Sequence, residues 1–372
     1  MHRKLSLRIR GVNACLNEQA VIITVKEPLK VLSSAVLNGG LIHARSIINC
    51  HVHRNFSSNP IAYLKGVASK LALPGPTVGL MTAVTLKNYS LKTSTEGRVA
   101  AIVTGGLSYS ATAGDEIRTR NIRNGTINTI LIVDGYLSDS AMVDSVKTAT
   151  EAKTATLRNL DVRSKFSNEG ATGTITDSIC IACTGRGKPD NYAGTATPIG
   201  QAIAKTTRRA VEEAILRENG LTGNRALLKR LSERGIELAD LVKTGMELFC
   251  PSPRTTKQQA TILLRKGLIR ALSDVNVASL VIAALRLDEE GSTGTLPRLT
   301  IEAFLADPIS LVADETVGTA IANYIGGTMG THNFHYYDRM KPGIIKKLPP
   351  FMDDAVCGLV AGVMSKVLNE ES

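Results

Sequence analysis

Tryptophan is absent from this chain of 372 residues, and aromatic residues account for only 4% of it. The core must therefore be built mainly from aliphatic side chains, and 43% of the residues are hydrophobic. With 21% charged residues and 32 glycines, the composition is typical of a soluble globular protein and not of a disordered or fibrous one. Because 372 residues exceed the size at which a single core usually stops growing, we expect two domains.

No uninterrupted apolar run approaches the roughly 18 to 20 residues needed to cross a bilayer. Residues 1–10 alternate basic and apolar side chains, which predicts an opening strand instead of a signal peptide. The six cysteines are scattered, which argues against a disulfide framework and favours reduced thiols. These absences predict a cytoplasmic protein with no membrane anchor and no membrane partner.

The formal net charge of +11 is compatible with a nucleic-acid partner, but no motif supports one. The chain shows no RNP-type aromatic motif, zinc finger or persuasive helix-turn-helix. We expect instead a solvated basic face, or a general attraction for phosphorylated substrates. The sequence therefore predicts no nucleic-acid partner, and it is compatible with a homo-oligomer.

The two halves of the chain have different textures. Short β-branched runs at 20–25, 98–104, 126–134 and 173–182 predict strands, and helical spacing at 140–160 and 200–217 predicts helices between them. From Asn224 onward the pattern predicts helices at 225–234, 236–248, 257–273, 277–287, 309–324 and 353–368. We predict an N-terminal α/β domain with a mixed sheet over 1–220 and an all-α helical domain over 221–372, joined by a polar linker near 218–224.

Three glycine-containing loops stand out in the N-terminal half, at 38–40, 104–115 and 185–200. Glycine lets backbone amides approach a ligand closely, and Thr197 with Pro198 suits the start of a helix, which can stabilise an anion. Tight turns and a helix cap explain the same residues without any ligand.

Two paired motifs have competing explanations. Cys180 and Cys183 are three apart in an expected strand, so their sulfurs point to opposite faces, which favours packing over a metal site. His51 and His53 are two apart and would share one face of a strand, which suits either a metal or general-base pair or a structural role.

The N-terminal half resembles the adenosylcobinamide amidohydrolase family. The resemblance rests on segments that follow the family's order over residues 11 to 215, namely 31–40 with Asn49, 78–83, 104–108 with 114–115, 125–128, 150–155, 173–177 and 192–200. It implies cleavage of the amide that joins the aminopropanol arm to the corrin side chain, which yields adenosylcobyric acid. The resemblance leaves the cofactor of this half unknown.

Amide hydrolysis needs an activated water or hydroxyl group and donors for a developing oxyanion. We hypothesise that Asp115, Glu151 or Asp177 is the base, and that Lys153 and the amides of Gly105 and Gly106 stabilise charge. A nucleophile such as Thr104, Ser108 or Thr174 is an alternative, and Glu151 and Lys153 are also explained as surface charges. The expected substrate-binding residues are Asn38, Gly39, Gly40, Thr104, Gly106, Ser108, Asn128, Tyr192, Thr195 and Thr197.

Acidic residues cluster at three places in the C-terminal half, and they predict a metal site. These are Asp314 with Glu315, then Asp338 near Lys341, then Asp353 with Asp354. Mg²⁺ prefers carboxylate oxygens and often bridges to phosphate, so we expect these acids as metal ligands. Asp338 and Lys341 are the expected catalytic residues, and Arg339 is an expected substrate-binding residue. Acids near the start of a helix are alternatively explained by their favourable interaction with the helix dipole.

The same residues resemble the phosphatidylglycerophosphatase A superfamily, with the strong part at 309 to 365. Phe334 is followed by His335 and not by the Arg of membrane members, and Lys341-Pro342 is followed by Gly343-Ile344 and not by Trp-Pro. The run 338–344, Asp-Arg-Met-Lys-Pro-Gly-Ile, is similar to that of α-ribazole phosphate phosphatases. The two resemblances together imply a bifunctional hydrolase of corrinoid and α-ribazole phosphate substrates, with a lipid phosphatase fused to an amidase as the alternative.

Overall fold

The computed structural model describes residues 3–117, 125–251 and 255–369. The chain divides into two compact units, Met1–Gly223 and Asn224–Ser372. The division falls within the polar segment expected to link the halves, three residues after the expected boundary at 220.

Unit 1 contains strands and helices in alternation. Its strands are β1 (Arg3–Leu5), β2 (Val12–Leu16), β3 (Ala20–Ser33), β4 (Gly40–His51), β5 (Thr77–Thr82), β6 (Ser90–Thr93), β7 (Val99–Gly105), β8 (Ser110–Ala111), β9 (Ile127–Val133), β10 (Tyr136–Leu137), β11 (Gly173–Thr174), β12 (Ser178–Cys183) and β13 (Pro189–Asp190). Its helices are α1 (Pro60–Lys70), α2 (Asp139–Asn159) and α3 (Pro198–Asn219).

In the described part of unit 1, nine of these strands form one mixed, curled sheet. The main order is β1-β2-β3-β12-β9-β7-β6, with β4 paired to β3 and β5 paired to β4. The pairs β9–β12 and β4–β5 are parallel, and the other pairs of the sheet are antiparallel. A register shift between Thr24 and Leu29 in β3 bends the long strand. The predicted α/β domain with a mixed sheet is confirmed.

The two faces of the sheet have separate cores, because successive side chains on a strand point to opposite sides. Helices α2 and α3 cover one face, where Leu131 and Ile181 are fully buried. The other face curls around an interior that contains Ile130 and Ala182. Cys180 belongs to the inner core and Cys183 to the helix-covered core, so both pack as their spacing in a strand predicted.

The strand expected over 173–182 is broken into two pieces. The short β11 pairs with β8, and β12 enters the large sheet beside β9. The break leaves Asp177 just before β12, outside any strand.

Unit 2 is helical, as predicted. Its helices are α4 (Leu227–Ser232), α5 (Leu238–Glu247), α6 (Lys257–Leu272), α7 (Val275–Thr293), α8 (Ile301–Leu305), α9 (Ala313–Met340) and α10 (Pro350–Asn369). Helix α10 lies at the centre, since nearly all its described side chains are buried. Over the described ranges no single helix meets the length and hydropathy expected of a bilayer span, although α6 and α7, bent by 81°, meet it as a pair.

Helix α9 differs from expectation at both its start and its middle. It begins at Ala313 and not near Ile309, so Asp314 and Glu315 lie in its first turn and not within an apolar helix. The helix begins later because Pro308 starts a turn that is closed by a hydrogen bond from the Leu311 amide to Pro308 O. Gly327 has φ 61° and ψ −152°, a conformation essentially restricted to glycine, and it breaks α9 into two arms.

The two arms of α9 lie side by side. A Cβ atom placed on Gly330 would lie 2.4 Å from the carbonyl oxygen of Ala322, although these residues are eight positions apart. In a straight helix eight residues span about 12 Å, so the chain must reverse at Gly327.

Candidate functional site

In unit 1 the structure brings Lys153 of α2 and Asp177 together as an ion pair between Nζ and Oδ2. The side chains are only 15% and 16% exposed. The other oxygen of Asp177, Oδ1, accepts hydrogen bonds from the backbone amide of Ile127 at 2.9 Å and from Thr174 Oγ1 at 2.5 Å. These contacts fix the carboxylate in one orientation.

Gly173 leaves room for this pair. A Cβ atom at residue 173 would lie 2.5 Å from Asp177 Oδ2 and 2.9 Å from Lys153 Nζ. The pair therefore depends on a position without a side chain.

The ion pair lines a cavity of about 150 Å³. Its other walls come from Ser34, Ile127, Thr129, Ala149, Thr150, Ser178 and Ile179. A base and a cation thus face one small space that also offers hydroxyl groups.

The structure separates the three candidate bases. The carboxylate of Asp115 accepts hydrogen bonds from the Thr112 amide and the Ser164 hydroxyl, both at 2.6 Å, which keeps its pKa low although its slight burial acts to raise it. Glu151 is exposed and is not among the residues that line the cavity. Asp177 is the candidate base that shares the cavity with Lys153.

Thr104 and Asn128 do not contact an open site, contrary to their expected role in binding substrate. Asn49 Nδ2 donates to Thr104 Oγ1 at 2.9 Å, and Asn128 Nδ2 donates to Asn49 Oδ1 at 2.8 Å. Thr126 Oγ1 donates to Asn128 Oδ1 at 3.0 Å. The network is almost fully buried, so these residues satisfy one another between strands and have no surface left for a ligand.

The glycine-containing loops are largely explained by turns and caps. The amide of Gly106 donates to Thr126 O at 3.0 Å and is therefore not available to an oxyanion. Thr197 caps α3 by accepting from Gly200 N at 3.0 Å. Asn38, with φ 53°, donates to Thr77 O at 2.7 Å. These protein contacts explain the three residues without a ligand, and the predicted roles of Asn38 and Thr197 in substrate binding stay predictions.

For the remaining loop residues, the role in substrate binding stays a prediction. Gly39 and Gly40 are exposed where the chain enters β4, and a Cβ atom on Gly39 would lie 2.5 Å from Ala35 O. Ser108, Tyr192 and Thr195 are exposed.

His51 and His53 do not form the expected pair, because β4 ends at His51. His51 Nδ1 lies 3.1 Å from Val84 O, and His53 Nδ1 accepts from the Asn55 amide at 3.2 Å. The two rings have separate structural contacts.

In unit 2 the acids of the three segments converge. One ligand oxygen from each of Asp314, Glu315 and Asp354 lies within 4.8 Å of the other two. A second such group consists of Asp338, Asp354 and Cys357. The break at Gly327 makes this convergence possible, because it returns the second arm of α9 to the first.

A lysine lies at the edge of the acid cluster. Lys341 Nζ is 2.5 Å from Asp353 Oδ2, 3.4 Å from Asp338 Oδ1 and 3.5 Å from Asp307 Oδ2. Residue 341 ends α9 with φ 41°, which turns the chain so that the amine faces the carboxylates. Arg339 is exposed, and its role as a positively charged substrate-binding residue stays a prediction.

Burial and like charges hold protons on this cluster. Burial, and then the neighbouring Glu315, raises the pKa of Asp314 to about 8. Burial and the charges of Asp353, Asp338 and Asp314 raise the pKa of Asp354 to about 9. Burial raises the pKa of Asp353 to about 6, although Lys341 acts in the opposite direction.

The residues present fit a divalent cation. Glu315 Oε2 and Asp354 Oδ1 are buried and accept no hydrogen bond from any described residue. Such oxygens are costly without a partner, and hard divalent cations prefer carboxylate oxygen.

Asp288 of α7 is a contributor that the sequence did not reveal. Its carboxylate accepts from the amides of Phe351 at 3.0 Å and Met352 at 2.9 Å, and so caps the start of α10 just before Asp353. Burial raises the pKa of Asp288 to about 7. A sequence signal existed, because residue 288 continues the buried face of α7 marked by Val277, Val281 and Ala284.

Comparisons with known proteins agree with this division. Residues 4–223 match the family model described as adenosylcobinamide amidohydrolase, and residues 251–369 match the one described as phosphatidylglycerophosphatase A. The uncharacterized protein MJ1330 of Methanocaldococcus jannaschii is 43% identical over 127 residues, which are 33% of this chain and 96% of that protein. An adenosylcobinamide amidohydrolase of Methanosarcina mazei is 29% identical over 210 residues, which are 54% of this chain and 96% of that protein.

Among solved structures, the low temperature requirement C protein from Listeria monocytogenes covers 39% of this chain and 93% of its own, with 25% identity and a TM-score of 0.34. The two family models define a two-domain protein, with a sheet domain and a helical domain that is similar to phosphatidylglycerophosphatase A. Since its first family model covers more than half of the residues, the chain belongs to the adenosylcobinamide amidohydrolase family.

Proposed function

We propose that unit 1 hydrolyses the amide between aminopropanol and the corrin side chain of adenosylcobinamide, and that unit 2 dephosphorylates α-ribazole 5′-phosphate. The first activity is supported by the family and by the Lys153–Asp177 pair on a cavity wall. The second is supported by the convergence of carboxylates beside Lys341. Both substrates are small molecules, and neither activity requires a nucleic-acid or membrane partner.

In the proposed amidase site, Asp177 takes the proton of an attacking water while Lys153 stabilises the negative charge that develops on the carbonyl oxygen. Thr174 and the Ile127 amide hold the carboxylate in place. Asp177 then returns this proton to the amide nitrogen, the carbon–nitrogen bond breaks, and aminopropanol leaves as the amine while adenosylcobyric acid remains.

The cavity is large enough for the aminopropanol arm of adenosylcobinamide but not for its corrin ring. About 150 Å³ corresponds to roughly five times the ~30 Å³ that a water molecule occupies in the liquid. The aminopropanol fragment has five non-hydrogen atoms, so it fits this space while the corrin ring stays outside.

In the proposed phosphatase site, Asp314, Glu315 and Asp354 would hold a divalent cation, and Mg²⁺ matches them because all three donors are carboxylates. Such a cation would neutralise phosphate charge and orient the ester for attack by water. Lys341 contributes a second positive charge where it contacts Asp353 and Asp338. Asp338 is 29% exposed, so its carboxylate can exchange a proton with solvent, which suits a proton-transfer role.

The turn after Lys341 supports the choice of substrate. The Gly343 amide donates to Glu247 Oε2 at 2.8 Å, and the Ile344 amide donates to Thr244 Oγ1 at 3.1 Å. A Cβ atom on Gly343 would collide with Thr244, so the Trp-Pro of membrane members cannot adopt this turn without rearrangement. A phosphatidylglycerophosphate-type lipid is the second candidate substrate, and the description of the matching family model favours it.

The test incubates the purified full-length chain with each substrate, with Mg²⁺ or with EDTA. We expect release of aminopropanol from adenosylcobinamide, and Mg²⁺-dependent release of phosphate from α-ribazole 5′-phosphate. Faster phosphate release from phosphatidylglycerophosphate in vesicles would replace the proposed substrate with the lipid. Salt-dependent affinity for DNA or RNA without either turnover would overturn the proposal.

A further inference from the structure

Cys357 is a thiol inside the acid cluster of unit 2. It is fully buried on α10, three residues after Asp354, so both side chains lie on the same face of the helix. Its Sγ atom, one oxygen of Asp354 and one oxygen of Asp338 all lie within 4.8 Å of one another. Asp354 therefore belongs to two groups of ligand atoms, one made of oxygens and one that contains sulfur.

A second observation indicates a missing partner for Asp354, the residue that the two groups share. Asp354 is 2% exposed, and its Oδ1 atom accepts no hydrogen bond from the residues that the structure describes. An interior carboxylate oxygen without a donor is costly, and a cation is the partner that would satisfy it.

The charge of the cluster leaves room for more than one divalent cation. Asp314, Glu315, Asp338, Asp353 and Asp354 form one group of five carboxylates. Within the described ranges, Lys341 is the one basic side chain at ion-pair distance from them. Cation binding would displace the protons of these acids, and five carboxylates with one lysine then leave four negative charges, which match two divalent cations.

We propose that Asp338, Asp354 and Cys357 form a second cation position, which shares Asp354 with the Asp314–Glu315 position. The thiolate makes this position selective for a borderline-soft cation such as Zn²⁺, whereas the position of oxygens alone suits Mg²⁺. Three protein ligands leave a fourth position of a tetrahedral ion open, as in catalytic and not structural zinc sites. The partial exposure of Asp338 provides access to it.

The geometry requires only small movements. Ligand atoms around a tetrahedral Zn²⁺ at ~2.0–2.3 Å lie about 3.3–3.7 Å apart. The ligand atoms of the present group lie within 4.8 Å of one another, so each pair has to close by at most about 1.5 Å. This inference rests on the proposed function in one respect: it assumes that the first cation position, at Asp314 and Glu315, belongs to a phosphatase.

The test uses Co²⁺ as a spectroscopic probe on the metal-free, reduced full-length chain. We expect two Co²⁺ ions per chain and a near-ultraviolet sulfur-to-cobalt charge-transfer band. In Cys357→Ser the band should disappear, and the second ion should bind at least about 10-fold more weakly. Even the loss of a residue that only contacts a metal ligand usually weakens binding by about this factor. Asp338→Asn should weaken the same ion, and thermal unfolding checks that each variant is folded.

Two other thiols provide matched controls. Cys180→Ser removes a buried thiol of unit 1, and Cys250→Ser removes an exposed one, so both variants should retain the band. A band that persists in Cys357→Ser, or a wild-type chain that binds Co²⁺ without a band, would overturn the second position. The proposed phosphatase is judged separately, by Mg²⁺-dependent phosphate release, so the two ideas can fail independently.

Discussion

The backbone of Gly358 in α10 packs directly against the backbone of Gly318 in α9. A Cβ atom on Gly358 would lie 2.1 Å from the carbonyl oxygen of Gly318. Asp354 and Asp314 each lie four residues, about one helical turn, before these glycines. The close approach of the two helices therefore sets the separation of the two carboxylates.

Replacement of Gly358 by alanine should separate the helices. We expect a loss of about 1–3 kcal/mol in the free energy of unfolding of unit 2, because the backbone of α9 has to move. Mg²⁺ affinity should fall in parallel, measured by calorimetric titration. Gly66→Ala is the control, since nothing lies near its Cβ position and alanine there should stabilise α1 by up to about 1 kcal/mol. Unchanged Mg²⁺ affinity in Gly358→Ala would contradict the role of this contact.

Asp177→Asn should remove amidase activity while leaving phosphatase activity intact. Asparagine can still accept from Thr174 and the Ile127 amide but cannot take a proton, so we expect a loss of roughly 10²- to 10⁴-fold in amide turnover. Initial rates on adenosylcobinamide provide the measurement. Asp115→Asn and Glu151→Gln are matched controls that should stay active. If either control lost activity while Asp177→Asn kept it, the base would have to be reassigned.

Lys341→Met should change phosphate and cation binding in opposite directions. Removal of the amine takes away a positive charge near the phosphate, so KM should rise by roughly 10- to 100-fold, the worth of one charge-assisted hydrogen bond. The carboxylates of Asp353 and Asp338 then lose their ion pairs, and less Mg²⁺ should be needed for half-saturation. Phosphate release at varied substrate and Mg²⁺ concentrations measures both effects. Lys346→Met, at an exposed position, should change neither.

The metal-free chain should become less stable as the pH rises. The folded-state pKa values of Asp314, about 8, and Asp354, about 9, exceed their ordinary value, so the native state binds more protons than the unfolded state. The associated stability is fully present below about pH 4 and is lost as the pH rises through about 8 to 9. Calorimetry in EDTA should therefore show the Tm of unit 2 falling over this range.

Mg²⁺ should reverse that trend, because a bound cation stabilises the ionised carboxylates. Asp314→Asn should weaken the pH dependence in EDTA. A Tm that stays constant or rises with pH in EDTA would contradict the burial of these acids as interacting groups.

The fold class followed from sequence because it depends on local patterns. Apolar strands near 98–104 and 126–134 appear as β7 and β9, and the helical spacing at 257–273 appears as α6. The break before Asp177 was not predicted, since the β-branched run continues through it and the interruption depends on the contacts of Asp177 with Lys153 and Ile127.

The sites were only partly predictable. The acids could be named, because carboxylates in a largely apolar domain need a partner. The sequence led us to expect that they share a metal site, but it did not show how they meet, since Asp314 and Asp338 are 24 residues apart and would be about 36 Å apart on a straight helix. Asp288 was missed because its role depends on the amides of another helix, at Phe351 and Met352.

The sharp turn at Gly327 has a consequence for what counts as an active-site residue. Its φ of 61° with ψ −152° is open to glycine and to essentially no other residue. Any side chain there would favour one straight helix, which would hold the carboxylates of Asp314 and Asp338 far apart. The meeting of the carboxylates in the helical domain is therefore controlled from a position that has no functional group of its own.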